Sequence, residues 1–265
     1  MMKICSPCLA IKLSALVLLG SLYLGSEALG QSCCASETKT TQIPSLQKDL
    51  DDRADKFAAT APEGMKQTFA NGLDHVAKSG VLDTAKKAGD TAPDFTLPNA
   101  NGEEVNLSAL LKNGPVVLVW YRGGWCPYCN MQLHAMQEIL PMLQKAGAQL
   151  VAISPESPDK TLSTKEKDEL EFFVLSDMGN VVAKKYGIVY KLDDATHEIY
   201  ENRLKLSEFN KNKSGELPLA VTYIVDQDGV IAWDFINSDY KKRAEPAEIL
   251  KAVQALSTEQ SVPAS

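Results

Sequence analysis

The feature of this sequence that most constrains its fold is a pair of cysteines, Cys126 and Cys129, at a change of hydrophobic period. Residues 115–121, before the pair, are a short apolar run of β-branched and aromatic residues, which predicts a buried strand. After the pair, apolar residues recur at spacings of four and three, which predicts one face of a helix. They are Cys129, Leu133, Met136, Leu140 and Leu143. The cysteines are therefore predicted to lie where a strand turns into a helix, with Pro127 in the first helical turn.

This position favours redox chemistry. Free N–H groups and the positive end of the helix dipole stabilise a thiolate relative to a thiol. Cysteines three residues apart in a first helical turn lie close enough to form a disulfide with little backbone movement. We therefore expect Cys126 and Cys129 to form a reversible redox disulfide. Cys129 is predicted to face the sheet, and Cys126, one turn earlier, is expected to be the more exposed.

A structural disulfide and half of a metal site are the two alternatives for the pair. A structural zinc site usually takes four ligands. No second closely spaced pair of cysteines or histidines lies in the globular part of the sequence. The sequence therefore predicts redox cysteines with no metal and no cofactor.

The overall composition is that of one globular protein with appended segments, since 265 residues suffice for one hydrophobic core. The net charge is −7 and no basic stripe is present, which argues against nucleic acid as a partner. Cys5 and Cys8 lie in a segment that is predicted to be removed, and we assign them no function. Cys33 and Cys34 lie in the linker and either pair with each other or with another chain, or have no role.

The first thirty residues have the pattern of a secretory signal peptide. Two lysines supply the positive end, and residues 13–24 are apolar but too short for a confident membrane span. Ala28 and Gly30 are small at the positions that a signal peptidase reads, so the mature chain is predicted to begin at Gln31. We expect export to the periplasm or the medium; the alternative is an uncleaved segment that anchors the protein to a membrane.

Hydrophobic patterning divides the rest of the chain into four segments. They are a linker at 31–43, a helical extension at 44–88, one domain at 89–257 and a tail at 258–265. Within the domain, strands alternate with helices and the chain ends in a hairpin and a helix, which predicts an α/β sheet with helices on both faces. Ser108 is expected to cap a short helix, and residues 191–216, which have no clear period, are expected to form an irregular insert.

The domain also carries a specific set of motifs, at residues 92–95, 121–129, 151–155, 175–177, 223–229 and 243–246. With these motifs the chain resembles the alkyl hydroperoxide reductase/thiol-specific antioxidant group, within the peroxiredoxin and thioredoxin-like superfamily. Its closest likeness is to the branch with a thioredoxin-type CxxC. The resemblance implies a thioredoxin-like fold with a central mixed sheet.

The chain departs from both templates at the reactive positions. In the peroxiredoxin pattern, the peroxidatic cysteine falls on Cys129, the preceding threonine on Cys126 and the proline on Arg122. The second arginine of that pattern falls on Ala220. The missing threonine and arginine imply a peroxidase weaker than a complete peroxiredoxin.

The resemblance implies a thiol peroxidase that reduces hydroperoxides and is regenerated by a thioredoxin-type reductant protein. One alternative is a thiol–disulfide oxidoreductase that acts on proteins; another is a non-enzymatic metal carrier that binds an ion such as copper(I) through the CxxC. We expect Cys126 to exchange with protein partners and Cys129 to react with peroxide.

Two neighbours of the pair are candidate site residues. Arg122 either stabilises a thiolate through its charge or is a solvated loop residue. Trp125 either offers a surface to a partner or packs locally, and His134 is expected to be a surface residue.

Overall fold

The computed structural model describes residues 43–259. The predicted signal peptide, both N-terminal cysteine pairs and most of the linker and tail lie outside these residues. The helices are α1 (Leu46–Thr60), α2 (Glu63–Lys78), α3 (Val81–Thr84), α4 (Leu107–Leu111), α5 (Pro127–Lys145), α6 (Pro158–Lys167), α7 (Val181–Lys185), α8 (Asp194–Leu204), α9 (Leu206–Asn210) and α10 (Pro246–Glu259). The strands are β1 (Thr96–Pro98), β2 (Glu104–Asn106), β3 (Val116–Trp120), β4 (Gln149–Ser154), β5 (Phe173–Ser176), β6 (Val189–Lys191), β7 (Glu216–Pro218), β8 (Thr222–Val225) and β9 (Ile231–Phe235).

The central sheet has the strand order β5-β4-β3-β8-β9. Strands β3, β4 and β5 are parallel, whereas β8 pairs antiparallel with β3 and with β9. The sheet is therefore mixed, as predicted. The apolar run before the cysteines is its middle strand, and all five residues of β3 are buried.

The side chains of β3 alternate between two hydrophobic cores, because successive residues of a strand point to opposite faces. Val117 and Val119 pack with α1, α5 and α10 on one face, and this core also contains both cysteines. Val116 and Leu118 pack with α4, α7 and α8 on the other face. Helices thus cover both faces of the sheet, which confirms the predicted architecture.

The N-terminal extension is helical, as expected, and it contributes to the core. Leu50 of α1 is fully buried and lies in the same core as the cysteines. The amino end of α1 is fixed by Glu245, whose carboxylate accepts the backbone N–H groups of Leu46 and Gln47 at 2.9 Å. A carboxylate at a helix N-terminus satisfies free donors and complements the helix dipole. The boundary between extension and domain stays a prediction.

Two local predictions are wrong. Residues 191–216 are not irregular: they form α8 and α9, and β7 returns to pair with β6. Helix α8 begins because Asp193 accepts the backbone N–H of Thr196. The cap of α4 is Asn106 rather than Ser108, since the Asn106 side chain accepts the backbone N–H of Ala109 at 2.9 Å.

Among residues 43–259, no helix is both long enough and apolar enough to cross a membrane.

Candidate active site

The loop between β3 and α5 is held by close packing. Gly123 has a φ of +147°, a conformation that other residues rarely adopt. A Cβ on Gly124 would overlap Oγ1 of Thr164, so this position has no room for a side chain. Asn130, inside α5, donates to the Gly124 carbonyl at 2.9 Å. The loop thereby places Cys126 at the N-cap of α5, with a proline at the first helical position as predicted.

A buried carboxylate also holds this loop through a hydrogen bond. Glu156 has no exposed surface and accepts the N–H of Gly124 at 3.0 Å and the hydroxyl of Tyr121 at 3.2 Å. The hydroxyls of Ser154 and Thr164 also donate to it. Burial raises the pKa of Glu156, although these hydrogen bonds oppose the shift. Sequence reasoning missed this residue, because an isolated glutamate after a strand has no distinguishing pattern.

Both cysteines are buried and both are free thiols. Cys126 exposes 2% of its surface and Cys129 exposes none. The expected order of exposure is therefore correct, but Cys126 does not lie on the surface. The N–H of Cys129 donates to the Cys126 carbonyl at 3.0 Å, so the two cysteines are neighbours in the first turn of α5. A hydrogen bond between their side chains favours the proton on Cys129.

Arg122 is buried beside Cys126. Of the two roles that the sequence left open for it, that of a solvated loop residue is therefore wrong. Its guanidinium carbon lies 4.2 Å from the ring centroid of Tyr240 and 5.1 Å from those of Trp125 and Tyr200. We call these three rings the aromatic cage. Nη2 donates to the Tyr200 hydroxyl at 2.6 Å and Nη1 donates to Cys126 Sγ at 3.9 Å. Cation–π contacts thereby hold the charge beside the sulfur.

A second guanidinium reaches the pair from a distant part of the chain. Arg243 lies just before α10, is 3% exposed, and donates from Nη2 to Cys129 Sγ at 3.4 Å. The backbone N–H of Arg122 donates to the same sulfur at 3.4 Å. The second arginine of the peroxiredoxin pattern falls on Ala220, so Arg243 reaches the pair from a different position. The motif at 243–246 is the sequence signal for Arg243, and that motif carries no role by itself.

These contacts push the pKa values of the two thiols apart. Burial opposes ionisation of Cys126, but the hydrogen bond from Cys129 and the charges of Arg122 and Arg243 outweigh it and lower the pKa of Cys126 to about 5. Burial raises the pKa of Cys129, and the neighbouring Cys126 thiolate raises it further. The pair therefore holds one proton near neutral pH, and that proton resides on Cys129.

A cleft of about 1010 Å³ opens in front of Cys126, and we call it the cysteine cleft. Cys126, Arg122 and the aromatic cage form one end, whereas Cys129 does not line it. The other apolar walls come mainly from α1, α2, α5 and α8. They include Phe57, Phe69, Leu73, Tyr128, Met131 and Leu204. Cys126 is therefore the sulfur that a molecule in the cleft can reach.

The remaining sequence candidates lie as follows. Trp125 is half-buried, stacks on Tyr200 with ring centroids 5.2 Å apart, and lines the cleft, so much of its surface packs within the chain. The His134 side chain is 56% exposed, as expected for a surface residue, and lies 3.4 Å from Asp168.

Comparison with known proteins identifies the family of the chain. The profile of the AhpC/TSA family matches residues 88–234, more than half of the chain. The chain belongs to the AhpC/TSA family. This confirms the resemblance inferred from the sequence motifs.

Curated proteins that are similar to this chain carry the name peroxiredoxin. Chloroplastic peroxiredoxin Q of Oryza sativa subsp. japonica is 31% identical over 168 residues, which is 63% of this chain and 67% of the relative. The same protein of Sedum lineare is 32% identical over 168 residues and 78% of its own length. Peroxiredoxin Bcp of Escherichia coli (strain K12) is 38% identical over 103 residues, 38% of this chain and 65% of the relative.

Solved structures support the fold. Peroxidoxin BcpB from Mycobacterium tuberculosis aligns with a TM-score of 0.51 and 24% sequence identity. The alignment covers 64% of this chain and 97% of that protein's chain. A peroxiredoxin-like protein from Aquifex aeolicus aligns with a TM-score of 0.51 and 18% identity, over 65% of this chain and 88% of that protein's chain. The predicted thioredoxin-like fold is confirmed.

Proposed function

We propose that the protein is a thiol-dependent peroxidase that reduces hydroperoxides through Cys126 and Cys129 and is regenerated by a thioredoxin-type dithiol protein. The observation that carries the proposal is a cysteine beside a buried guanidinium in a cleft, with a second cysteine next to it. Cys126 lines the cleft, Arg122 donates to its sulfur, and Cys129 follows within the same helical turn. The family match and the peroxiredoxin relatives support the same activity.

The reaction begins with attack of the Cys126 thiolate on the outer oxygen of the hydroperoxide. The O–O bond breaks, Cys126 becomes a sulfenic acid, and the leaving oxygen takes up a proton to become an alcohol or water. The Cys129 sulfur, after losing its proton, then attacks the sulfenic sulfur. A disulfide forms and water leaves. Two electrons from an external dithiol restore the thiolate of Cys126 and the thiol of Cys129.

Cys126 is the first nucleophile in this proposal, whereas the peroxiredoxin alignment nominated Cys129. Two features of the site favour Cys126. It lines the cleft while Cys129 does not, and the negative charge of the pair resides on it. A nucleophile must be both ionised and reachable.

Two single variants test this proposal against hydrogen peroxide, with reaction rates followed by stopped flow and sulfenic acid trapped with dimedone. Cys129→Ser is expected to form a sulfenic acid at a rate near that of the native protein and to stop there. Cys126→Ser is expected to lose the fast reaction. A fast reaction retained by Cys126→Ser and lost by Cys129→Ser would restore Cys129 as the peroxidatic residue. No fast reaction in the native protein would reject the peroxidase.

We infer further that the mature protein is exported. The support is the pattern of residues 1–30, which lie outside the described residues. The plant relatives, by contrast, are named as chloroplastic proteins. Sequencing of the mature N-terminus decides the matter: a start near Gln31 is expected, and an intact Met1 on membrane-bound protein would establish the anchor instead.

A further inference from the structure

The proposed reaction needs a proton donor that the cysteine pair does not supply. When the Cys126 thiolate breaks the O–O bond of hydrogen peroxide, the leaving group is hydroxide. Its conjugate acid, water, has a pKa of about 15.7, so hydroxide leaves slowly unless an acid gives it a proton as the bond breaks. Cys129 does not line the cysteine cleft. The donor must therefore come from the walls of the cleft or from solvent.

One guanidinium group joins the Cys126 sulfur to a phenol. Nη1 of Arg122 donates to Cys126 Sγ at 3.9 Å, and Nη2 of the same group donates to the hydroxyl of Tyr200 at 2.6 Å. The N–H groups of a guanidinium lie in one plane as a rigid fork, so the sulfur and the phenol oxygen are held at neighbouring positions. Both residues line the cysteine cleft. A hydroperoxide at Cys126 is therefore expected to lie beside this hydroxyl.

The Tyr200 hydroxyl has an O–H that the chain leaves unused. Tyr200 is 4% exposed, its oxygen accepts the N–H of Arg122, and within residues 43–259 no acceptor receives its proton. Tyr223 differs, because its hydroxyl donates to the Lys86 carbonyl at 2.8 Å. A buried donor without an acceptor costs free energy. An oxygen of a bound hydroperoxide would supply the missing acceptor.

The surroundings of Tyr200 keep its proton in place near pH 7. Burial raises the pKa of Tyr200, so the phenol is neutral at that pH. Arg122 opposes this shift through its charge and its hydrogen bond. The same charge would stabilise a phenolate during the reaction. Tyr200 is therefore protonated before the O–O bond breaks and has a cation beside it when the proton leaves.

Other groups near Arg122 fit this role less well. The guanidinium itself stays charged in proteins and does not give up a proton. Tyr240 presents its ring to Arg122, with 4.2 Å between the ring centroid and the guanidinium carbon, and Tyr190 does not line the cleft. The acidic and basic side chains of the cleft belong to α1, α2 and the segment before α10. In the described part of the chain, none of them is hydrogen-bonded to Arg122 or Cys126.

We propose that Tyr200 is a catalytic residue that donates its proton to the leaving oxygen of the hydroperoxide. As Cys126 Sγ bonds to the outer oxygen and the O–O bond breaks, the phenol O–H bond breaks and the leaving oxygen becomes water or an alcohol. The Tyr200 phenolate then takes a proton from solvent. This inference rests on the proposed peroxidase. It adds to that reaction a residue of α8, outside the motifs of the family resemblance.

Tyr200→Phe removes the hydroxyl and keeps the ring in the aromatic cage. Two rates are measured on the reduced full mature protein: its reaction with hydrogen peroxide, by stopped flow, and the alkylation of Cys126 by iodoacetamide, by mass spectrometry. Iodide leaves without a proton, so alkylation reports the thiolate alone. We expect the ratio of the peroxide rate to the alkylation rate to fall about a hundredfold.

Tyr186→Phe is the matched control. It also removes a buried tyrosine hydroxyl, one that has no hydrogen-bond partner and does not line the cleft. This control should keep the native ratio of the two rates. An equal fall of the ratio in both variants would overturn the proposal.

The same two rates separate a catalytic role from a structural one. If Tyr200 only positioned Arg122, Tyr200→Phe would make the thiolate less reactive, both rates would fall together, and the unchanged ratio would overturn the proposal. Two native rates in Tyr200→Phe would also overturn it and would leave the peroxidase intact. If the native protein shows no fast reaction with hydrogen peroxide, the proposed function and this inference fail together.

A second oxidant gives an independent measurement. Peracetic acid releases acetate, which needs no proton at neutral pH, so its reaction does not depend on an acid at the leaving oxygen. Tyr200→Phe should therefore react with peracetic acid at a rate near that of the native protein, although it reacts slowly with hydrogen peroxide. Equal losses with the two oxidants would contradict proton donation by Tyr200.

Discussion

Lowering the pH is expected to destabilise the reduced protein through Cys126. The ordinary pKa of its thiol is 9.0, and the folded protein lowers it to about 5. A lowered pKa means that the folded state binds the proton more weakly than the unfolded state does. The resulting stabilisation is complete above about pH 9 and is lost as the pH falls through about 5.

The size of the effect follows from the two pKa values. Each unit of pKa difference corresponds to about 1.4 kcal/mol, and near pH 7 about two units of the shift are in effect, so the thiolate contributes about 3 kcal/mol there. Close to pH 5 less than about 0.5 kcal/mol remains. The reduced protein should therefore lose about 2 kcal/mol of its free energy of unfolding between these pH values on account of this one group.

The assay is urea unfolding of Cys129→Ser at several pH values from 5 to 7, with Cys126→Ser/Cys129→Ser as the control. Serine at position 129 keeps a hydroxyl donor, and both proteins lack the Cys129 thiol, whose pKa would change if Cys126 alone were removed. Other groups, such as Glu156 with its raised pKa, titrate in both proteins and cancel in the difference. The difference in unfolding free energy between the two proteins should shrink by about 2 kcal/mol as the pH falls. Parallel pH profiles would show that Cys126 is an ordinary thiol and would refute the charge assignment.

Three further predictions concern groups that hold the site. Leu50→Ala, at a fully buried position of α1, should lower the free energy of unfolding measured in urea by about 2–5 kcal/mol. A decrease below about 1 kcal/mol would mean that α1 packs only weakly against the core. Gly124→Ala should lower the free energy of unfolding by about 1–3 kcal/mol, because a Cβ there overlaps Thr164. Gly64→Ala, at an open position in α2, should leave the free energy of unfolding unchanged or raise it. Equal effects of the two substitutions would contradict the crowding around Gly124. Arg243→Met should raise the pKa of Cys126 in a titration of thiolate absorbance at 240 nm, and an unchanged titration would remove Arg243 from the electrostatics of the pair.

The parts of the fold that the sequence predicted are those with a local, periodic cause. The apolar run of β3 and the four-and-three spacing of α5 are visible within a few residues, and both were correct in the structure. Helix α8 was missed because its buried side chains are a threonine and a tyrosine, Thr196 and Tyr200, which do not make an apolar stripe. Its capping residue, Asp193, was a readable signal.

The cysteines of the site were predictable, whereas most of their environment was not. The positions of Cys126 and Cys129 follow from spacing alone. Tyr200 reaches the pair from a segment that looked irregular, and Arg243 is more than one hundred residues from the sulfur it contacts. Contacts of that kind leave no periodic trace in the sequence, since they depend on how the sheet brings distant segments together.

The disagreement between the two sequence templates over the reactive cysteine has a physical basis in this site. Cys129 is where the peroxidatic cysteine of the peroxiredoxin pattern falls in the sequence. Its sulfur accepts two N–H donors at 3.4 Å, from the backbone of Arg122 and the guanidinium of Arg243. Those donors would stabilise a thiolate there, but the sulfur is sealed off from the cleft. Cys126, in place of the peroxiredoxin threonine, faces the cleft and takes the charge, while its neighbour keeps the proton. We infer that a thiol in place of a hydroxyl at position 126 moves the ionised sulfur from Cys129, which does not line the cleft, to Cys126, which does. The residue that departs from the family pattern is therefore the one that we expect to carry the reaction.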